Sequence, residues 1–175
     1  MDYFEFFGLP VSFQVDVAEL QKRFYRYSRQ YHPDFHTLAD GDEQERMLEM
    51  STLNNRAWNT LSNPDQRIRY ILEMKGLVGD ETNQPPIPQD FLMDMMDINE
   101  GLMELEFDFE AERYATLQNE VTKLESELEA NIRPLLETWT ETTGTDAQLQ
   151  AVRDFYLKKR YLLRIRENLS KFAPA

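Results

Sequence analysis

The sequence predicts an all-α protein in two parts: a helical hairpin with short flanking helices, followed by a three-helix bundle. Three observations predict it. Apolar residues recur at three- and four-residue spacing through most of the 175 residues. No stretch alternates with the period of two that a half-buried strand requires. One segment dense in proline and small polar residues, Gly79-Asp80-Glu81-Thr82-Asn83-Gln84-Pro85-Pro86-Ile87-Pro88, separates the periodic stretches. The expected organisation is a first domain over 1–76, a linker over 77–88 and a second domain over 89–175.

Each element has its own signals. Asp16 followed three residues later by Glu19 reads as an N-cap with a capping-box partner. The helix it starts runs to Tyr31, because the residue before a proline avoids helical angles. After the Asp40-Gly41-Asp42 loop, a long helix spans about 42–61. Asn63-Pro64 is an N-cap with proline at the first helical position, and that helix ends near Gly76. Beyond the proline-rich segment, one helix covers about 89–106. A second covers about 108–140 and carries Tyr114, Leu117, Val121, Leu124 and Leu128 as a coiled-coil-like seam, with a kink expected at Pro134. Thr143-Gly144-Thr145-Asp146 breaks the chain, and Asp146 is read as the cap of a last helix reaching Phe172. Short connections between long helices imply an antiparallel bundle.

Charge and composition narrow the function classes. The net charge of −13 disfavours nucleic acid, whose phosphates must be neutralised by Lys and Arg, and disfavours anionic membranes. No apolar run approaches the roughly 20 residues of a membrane-spanning helix, and Met1-Asp2-Tyr3-Phe4-Glu5 lacks the opening of a secretory signal. With no cysteine, disulfides, thiol catalysis, Cys-ligated zinc and self-ligated iron–sulfur clusters are excluded. A reducing cytoplasm is the expected setting.

Against that acidic background, the helix before His32-Pro33-Asp34 is basic on one face. At about 100° per residue, Leu20, Phe24, Tyr27 and Tyr31 fall within an arc of roughly 60° and form a core stripe. Lys22, Arg26 and Arg29 lie almost opposite, with Arg23 to one side. A segregated positive stripe suits docking onto an acidic surface, where such charges raise the on-rate and fix orientation. The tripeptide itself leaves several roles open: an acid–base pair, a metal site using His32, Asp34 and His36, a cap on the helix end, or a recognition turn. No nucleophile pattern or glycine-rich oxyanion loop accompanies it, and a distant fourth metal ligand is lacking.

Tyr31-His32-Pro33-Asp34 after a basic helix, then Asn55-Arg56-Ala57-Trp58-Asn59-Thr60-Leu61-Ser62-Asn63-Pro64 with Arg67 and Tyr70, resembles a J-domain over about 1–75. The resemblance implies that the tripeptide docks on the nucleotide-binding domain of a DnaK-type chaperone ATPase, near its interdomain linker, and stimulates ATP hydrolysis. The chain would do no chemistry itself and need no cofactor or metal. Pro33 would fix the turn, Asp34 would offer an anion to a partner arginine, and His32 would hold the turn or contact the partner. Lys22, Arg26 and Arg29 match the family's basic docking face. One departure is Phe35, where a basic residue often follows the tripeptide.

In the second part, Phe91, Met95, Ile98, Leu102 and Leu105 share an arc within about 40° of Phe91, a core stripe. Leu92, Met96 and Met103 cluster about 100–140° away, with Met93 beyond them, so this helix has more apolar surface than one packing face needs. Either it is buried on two sides or it presents a Met-rich patch to a protein partner, rimmed by Asp97 and Glu100. In the last helix Phe155, Leu162, Ile165, Leu169 and Phe172 form a seam, Leu157 and Tyr161 fall off it, and Lys158-Lys159-Arg160 is read as a solvated face.

The layout, the opening Met1-Asp2-Tyr3-Phe4-Glu5-Phe6-Phe7-Gly8-Leu9-Pro10 and Phe91-Leu92-Met93 resemble the HscB-type co-chaperones of iron–sulfur cluster assembly. That resemblance implies that the second domain binds the scaffold protein IscU through an apolar patch and that the J-domain brings it to the chaperone HscA. Leu92, Met93 and Met96 would be scaffold contacts. Tyr161 would be the aromatic contact of the last helix, with Leu157 as the alternative. The absence of a Cys-rich zinc segment implies a bacterial cytoplasmic protein. The alternatives are a general J-protein delivering unfolded clients to DnaK, an enzyme centred on His32, Asp34 and His36, and a structural helical protein.

Overall fold

The structure is a computed structural model that describes residues 1–80 and 82–173. Glu81 of the expected linker, and Pro174 and Ala175 at the end of the expected second domain, lie outside the described residues. Among the described residues there is no strand. The elements are α1 (Tyr3–Phe7), α2 (Val17–Tyr31), a 3-10 turn (Pro33–Phe35), α3 (Gly41–Leu61), α4 (Pro64–Met74), α5 (Gln89–Asp94), α6 (Met96–Phe107), α7 (Ala111–Thr138) and α8 (Asp146–Ser170). None of these helices is long and apolar enough to cross a membrane.

Short polar side chains set the helix starts by accepting otherwise unpaired N–H groups. Asp2 takes the N–H of Glu5, Asp16 that of Glu19, Asp40 that of Glu43, and Asn63 those of Asp65 and Gln66. The reciprocal half of the capping box expected at Glu19 is replaced, because Glu19 Oε1 instead takes Arg23 Nε at 3.1 Å. The last helix is capped by Thr145, whose extended backbone (φ −105°, ψ 159°) leaves its hydroxyl facing Gln148 N–H; Asp146 is already inside the helix. Replacing Asn63 by Ala orphans two N–H groups of α4 and is expected to cost about 1 kcal/mol, read from urea denaturation.

The chain divides into two compact units. The first comprises Met1–Lys75 with Trp139–Gly144. Here α2 and α3 form the hairpin, and α1 and α4 flank it. Phe4, Phe7, Leu20, Ala57, Leu61, Ile71 and Leu72 are buried between them. Gly8 ends α1 in the left-handed region (φ 65°), a conformation that a side chain disfavours. Asn54, also buried, donates to Phe24 O and Ser28 Oγ, both at 3.1 Å, and so ties the two hairpin helices together. The Arg67 side chain is buried as well: Nε donates to Leu61 O (2.8 Å) and Nη1 to Phe13 O (2.9 Å). Tyr70 stacks on Tyr3 at 4.5 Å and accepts the Tyr3 N–H.

The second unit comprises Gly76–Thr138 and Thr145–Ala175. Its helices pack through Phe91, Met95, Ile98, Leu102, Leu105, Leu117, Val121, Leu162, Ile165 and Leu169, with Tyr114, Leu124 and Leu128 at the margin. The single helix expected over 89–106 is two. Met95 N–H is shared between the Phe91 and Met93 carbonyls, which tightens one turn and separates α5 from α6. Gly101 sits where a Cβ would stand 2.9 Å from both Leu117 Cδ2 and Arg113 Nη2, so its lack of a side chain lets α6 close on α7. Lys158, Lys159 and Arg160 do not form a free solvated face. Lys158 lies over the Phe91 ring, Lys159 pairs with Glu129 at 2.6 Å, and Arg160 donates to Tyr156 Oη at 3.1 Å.

Described residues in and beside the proline-rich segment make defined contacts. Val78 is buried, Ile87 packs against the bundle core, and Gln84 Nε2 donates to Gly79 O at 3.1 Å. Asp80 accepts from the Thr82 hydroxyl and from the Thr82 and Asn83 N–H groups, bonds that hold its carboxyl below the usual range.

Candidate docking surfaces

The first surface is built where α2 ends. Pro33 cannot continue that helix and forces His32 into an extended conformation (φ −64°, ψ 129°). Pro33 then opens the 3-10 turn, which is closed by Phe35 N–H to His32 O and His36 N–H to Pro33 O, both at 3.0 Å. His32 Nδ1 accepts the Asp34 N–H at 3.2 Å, so the imidazole holds the turn from inside its own loop. His36 Nε2 lies 2.8 Å from Gln30 O, one of the carbonyls left without a helical partner at the end of α2. That carbonyl can only accept, so Nε2 carries the proton. Both histidines therefore serve the geometry of the turn. Among the described residues no group of three or more His, Asp or Glu is placed to hold a metal ion.

Asp34 itself projects outward. Its carboxylate is exposed, with His32 Nδ1 3.7 Å away. Lys22, Arg26 and Arg29 are all exposed on α2 and follow one another at helical spacing along one face. Arg23, off that stripe, is turned inward, with Nη1 on Phe7 O at 2.6 Å and Gly8 O at 3.2 Å. The structure therefore sorts four adjacent cations into one that holds α1 to α2 and three that face solvent. Periodicity alone does not mark the large apolar side chains exposed in the same region: Tyr25 on α2, Phe35 and Leu38 after the tripeptide, and Leu48 on α3.

The second surface lies on α5 and α6. The core stripe and the extra apolar stripe separate cleanly in burial. Met95 is 1 % exposed, whereas Leu92 is 39 %, Met93 65 % and Met96 58 % exposed. Met103 and Phe107 continue the exposed stripe along α6, and Asp97 and Glu100 are exposed beside it. Tyr161 of α8 is half-buried. Its ring meets Phe91 edge-on at 5.6 Å, and its hydroxyl accepts from Asn99 Nδ2 at 2.8 Å. Asn99 is one turn along α6 from Met96, so Tyr161 sits at the flank of the patch. Leu157 is buried and lines a groove with Pro85, Pro86, Ile87, Arg160 and Arg164.

Both parts of the chain are similar to known proteins. A family model described as DnaJ domain matches residues 2–70, and one described as HSCB C-terminal oligomerisation domain matches residues 87–170. The chain is 34 % identical over 131 residues to the "Co-chaperone protein HscB homolog" of Chromobacterium violaceum, covering 74 % of this chain and 75 % of that protein. Its fold is similar to the human co-chaperone protein HscB, with a TM-score of 0.71 and 28 % identity, over 97 % of this chain and 81 % of the human one. The chaperone HscB from Vibrio cholerae shares the fold with a TM-score of 0.66 and 22 % identity, over 98 % of this chain and 97 % of the other.

Proposed function

The chain belongs to the HscB family of J-domain co-chaperones, and on that premise we propose that it is an adaptor in iron–sulfur cluster assembly. It binds the scaffold protein IscU, delivers it to the DnaK-type chaperone HscA and stimulates that chaperone's ATPase. Residues 1–76 serve the chaperone and 89–175 the scaffold. The setting is the bacterial cytoplasm.

One observation carries this reading: a single chain holds a charged turn free to pair with a partner and an apolar patch free to be covered by one. On the chaperone side, Lys22, Arg26 and Arg29 steer an acidic surface, while His32 and Pro33 hold Asp34 ready for a partner arginine. On the scaffold side, Leu92, Met93 and Met96 supply apolar area that the fold leaves in water, and Tyr161 flanks it with a ring already oriented by Asn99. Methionines adapt to an irregular partner surface at little packing cost. An adaptor that holds both proteins raises the effective concentration of one near the other without performing chemistry.

The test is calorimetric titration of IscU into the full chain and into Leu92→Ala/Met96→Ala. Removing two half-exposed apolar side chains is expected to weaken binding about tenfold or more. Basal stimulation of HscA in the absence of scaffold should be kept. An unchanged affinity would place the scaffold elsewhere.

A further inference from the structure

We propose that Phe35, Leu38 and Leu48 form an apolar contact for the same chaperone, continuous with the His32-Pro33-Asp34 turn, so that docking has a part that salt does not screen. This rests on the docking reading above and deepens it.

Phe35 closes the 3-10 turn that presents Asp34, yet 71 % of it is exposed, and its ring meets the His32 ring edge-on at 5.9 Å. Leu38, three residues on, is 100 % exposed. Leu48 of α3, also exposed, lines a groove with Pro33, Asp34 and Thr37 beneath the turn. The fold gains nothing by holding these side chains in water.

What covers them follows from chain geometry. Adjacent Cα atoms are about 3.8 Å apart, so a surface that pairs with the Asp34 carboxylate is within side-chain reach of Phe35. The occupant of one is a neighbour of the other. The partner surface that fits has a basic group for Asp34, acidic groups for Lys22, Arg26 and Arg29, and an apolar area for Phe35 and its neighbours. A lysine at position 35 would have added another screened charge. Phenylalanine adds apolar burial, which survives at high ionic strength.

The experiment measures half-saturation of HscA ATPase stimulation at low and at high salt, using the full chain, Phe35→Ala/Leu38→Ala, Leu48→Ala, Lys22→Gln and Asp34→Asn. The double variant is expected to need roughly tenfold more protein at both salt levels while reaching the parent's maximal rate. Leu48→Ala makes no change next to the His32 ring and should shift half-saturation about threefold. Lys22→Gln should matter at low salt and little at high salt. Half-saturation unchanged in both apolar variants overturns the proposal, as does a loss that disappears at high salt. A parent that self-associates and is dissociated by Phe35→Ala, with chaperone affinity intact, assigns the patch to a second copy and overturns it too. Asp34→Asn separates the two levels: if it stimulates like the parent, the docking reading itself has failed.

Discussion

Asp34→Asn is expected to leave the protein folded and to remove the stimulation of chaperone ATP hydrolysis proposed for it. The turn is held by the His32 carbonyl, the Pro33 carbonyl and His32 Nδ1, none of which bonds to the Asp34 carboxylate. The side chain is 85 % exposed, and its 3.7 Å approach to His32 is too long for a strong pair. Asn keeps the size and shape of Asp, removes the charge and turns one acceptor oxygen into an NH2 donor. Leaving a partner cation unpaired at a closed interface costs about 2–5 kcal/mol, more than a tenfold loss in affinity. Stimulation at working concentrations should therefore fall to the chaperone's basal rate, with circular dichroism and thermal midpoint matching the parent. Full stimulation by the variant would sink the docking role of the turn.

Arg67→Met is expected to have the opposite profile, with large damage to folding and functional loss only as its consequence. The guanidinium is buried and bridges Leu61 O at the end of α3 to Phe13 O in the loop before α2, the second bond joining residues 54 apart in sequence. Burial lowers its pKa from the usual arginine range, but an arginine stays charged at any working pH. Methionine fills much of the volume and leaves both carbonyls without their donor. Two lost hydrogen bonds to a charged group cost about 3 kcal/mol together, a large part of the stability of a domain of this size. Urea denaturation should show a clearly lower midpoint. Lysine at the same position has no fork with which to span both carbonyls and should recover only part of the loss. A change well under 1 kcal/mol for Arg67→Met would contradict the bridging role.

The residues that carried the J-domain resemblance divide into two groups once the contacts are known. Ala57 and Leu61 are fully buried, Asn63 and Pro64 start α4, Arg67 bridges two carbonyls and Tyr70 clamps Tyr3. These are residues of folding. His32, Pro33 and Asp34 with Lys22, Arg26 and Arg29 build a surface. A motif read along the chain does not separate the groups, because both leave marks at the same helical spacing.

Helix positions and the core stripe of α5 and α6 were legible in advance, because burial follows the period of the helix and caps are local chemistry between residues three apart. The break at Met95 was not, since it lies in an apolar run with no proline or glycine to announce it. The cap at Thr145 was displaced by one residue because Thr and Asp both suit that role, and only backbone angles choose between them. Lys158-Lys159-Arg160 looked solvated because charge is visible in sequence, whereas Phe91, Glu129 and Tyr156, the partners that occupy these side chains, come together only on folding.

By itself, then, the amino-acid sequence determined an all-α chain, its family, the rigid turn at Pro33 and the presence of surplus apolar residues at 92, 93, 96 and 103. These depend on local geometry and helical periodicity. Only the tertiary structure decided what the pattern left open: Leu92, Met93 and Met96 outside rather than buried on a second side, Arg23 turned onto Phe7 and Gly8, Leu157 buried and Tyr161 at the edge of the patch, Phe35 and Leu38 left uncovered beside Asp34. Exposure is a property of which helices pack together, and that is set by contacts between residues far apart in the chain.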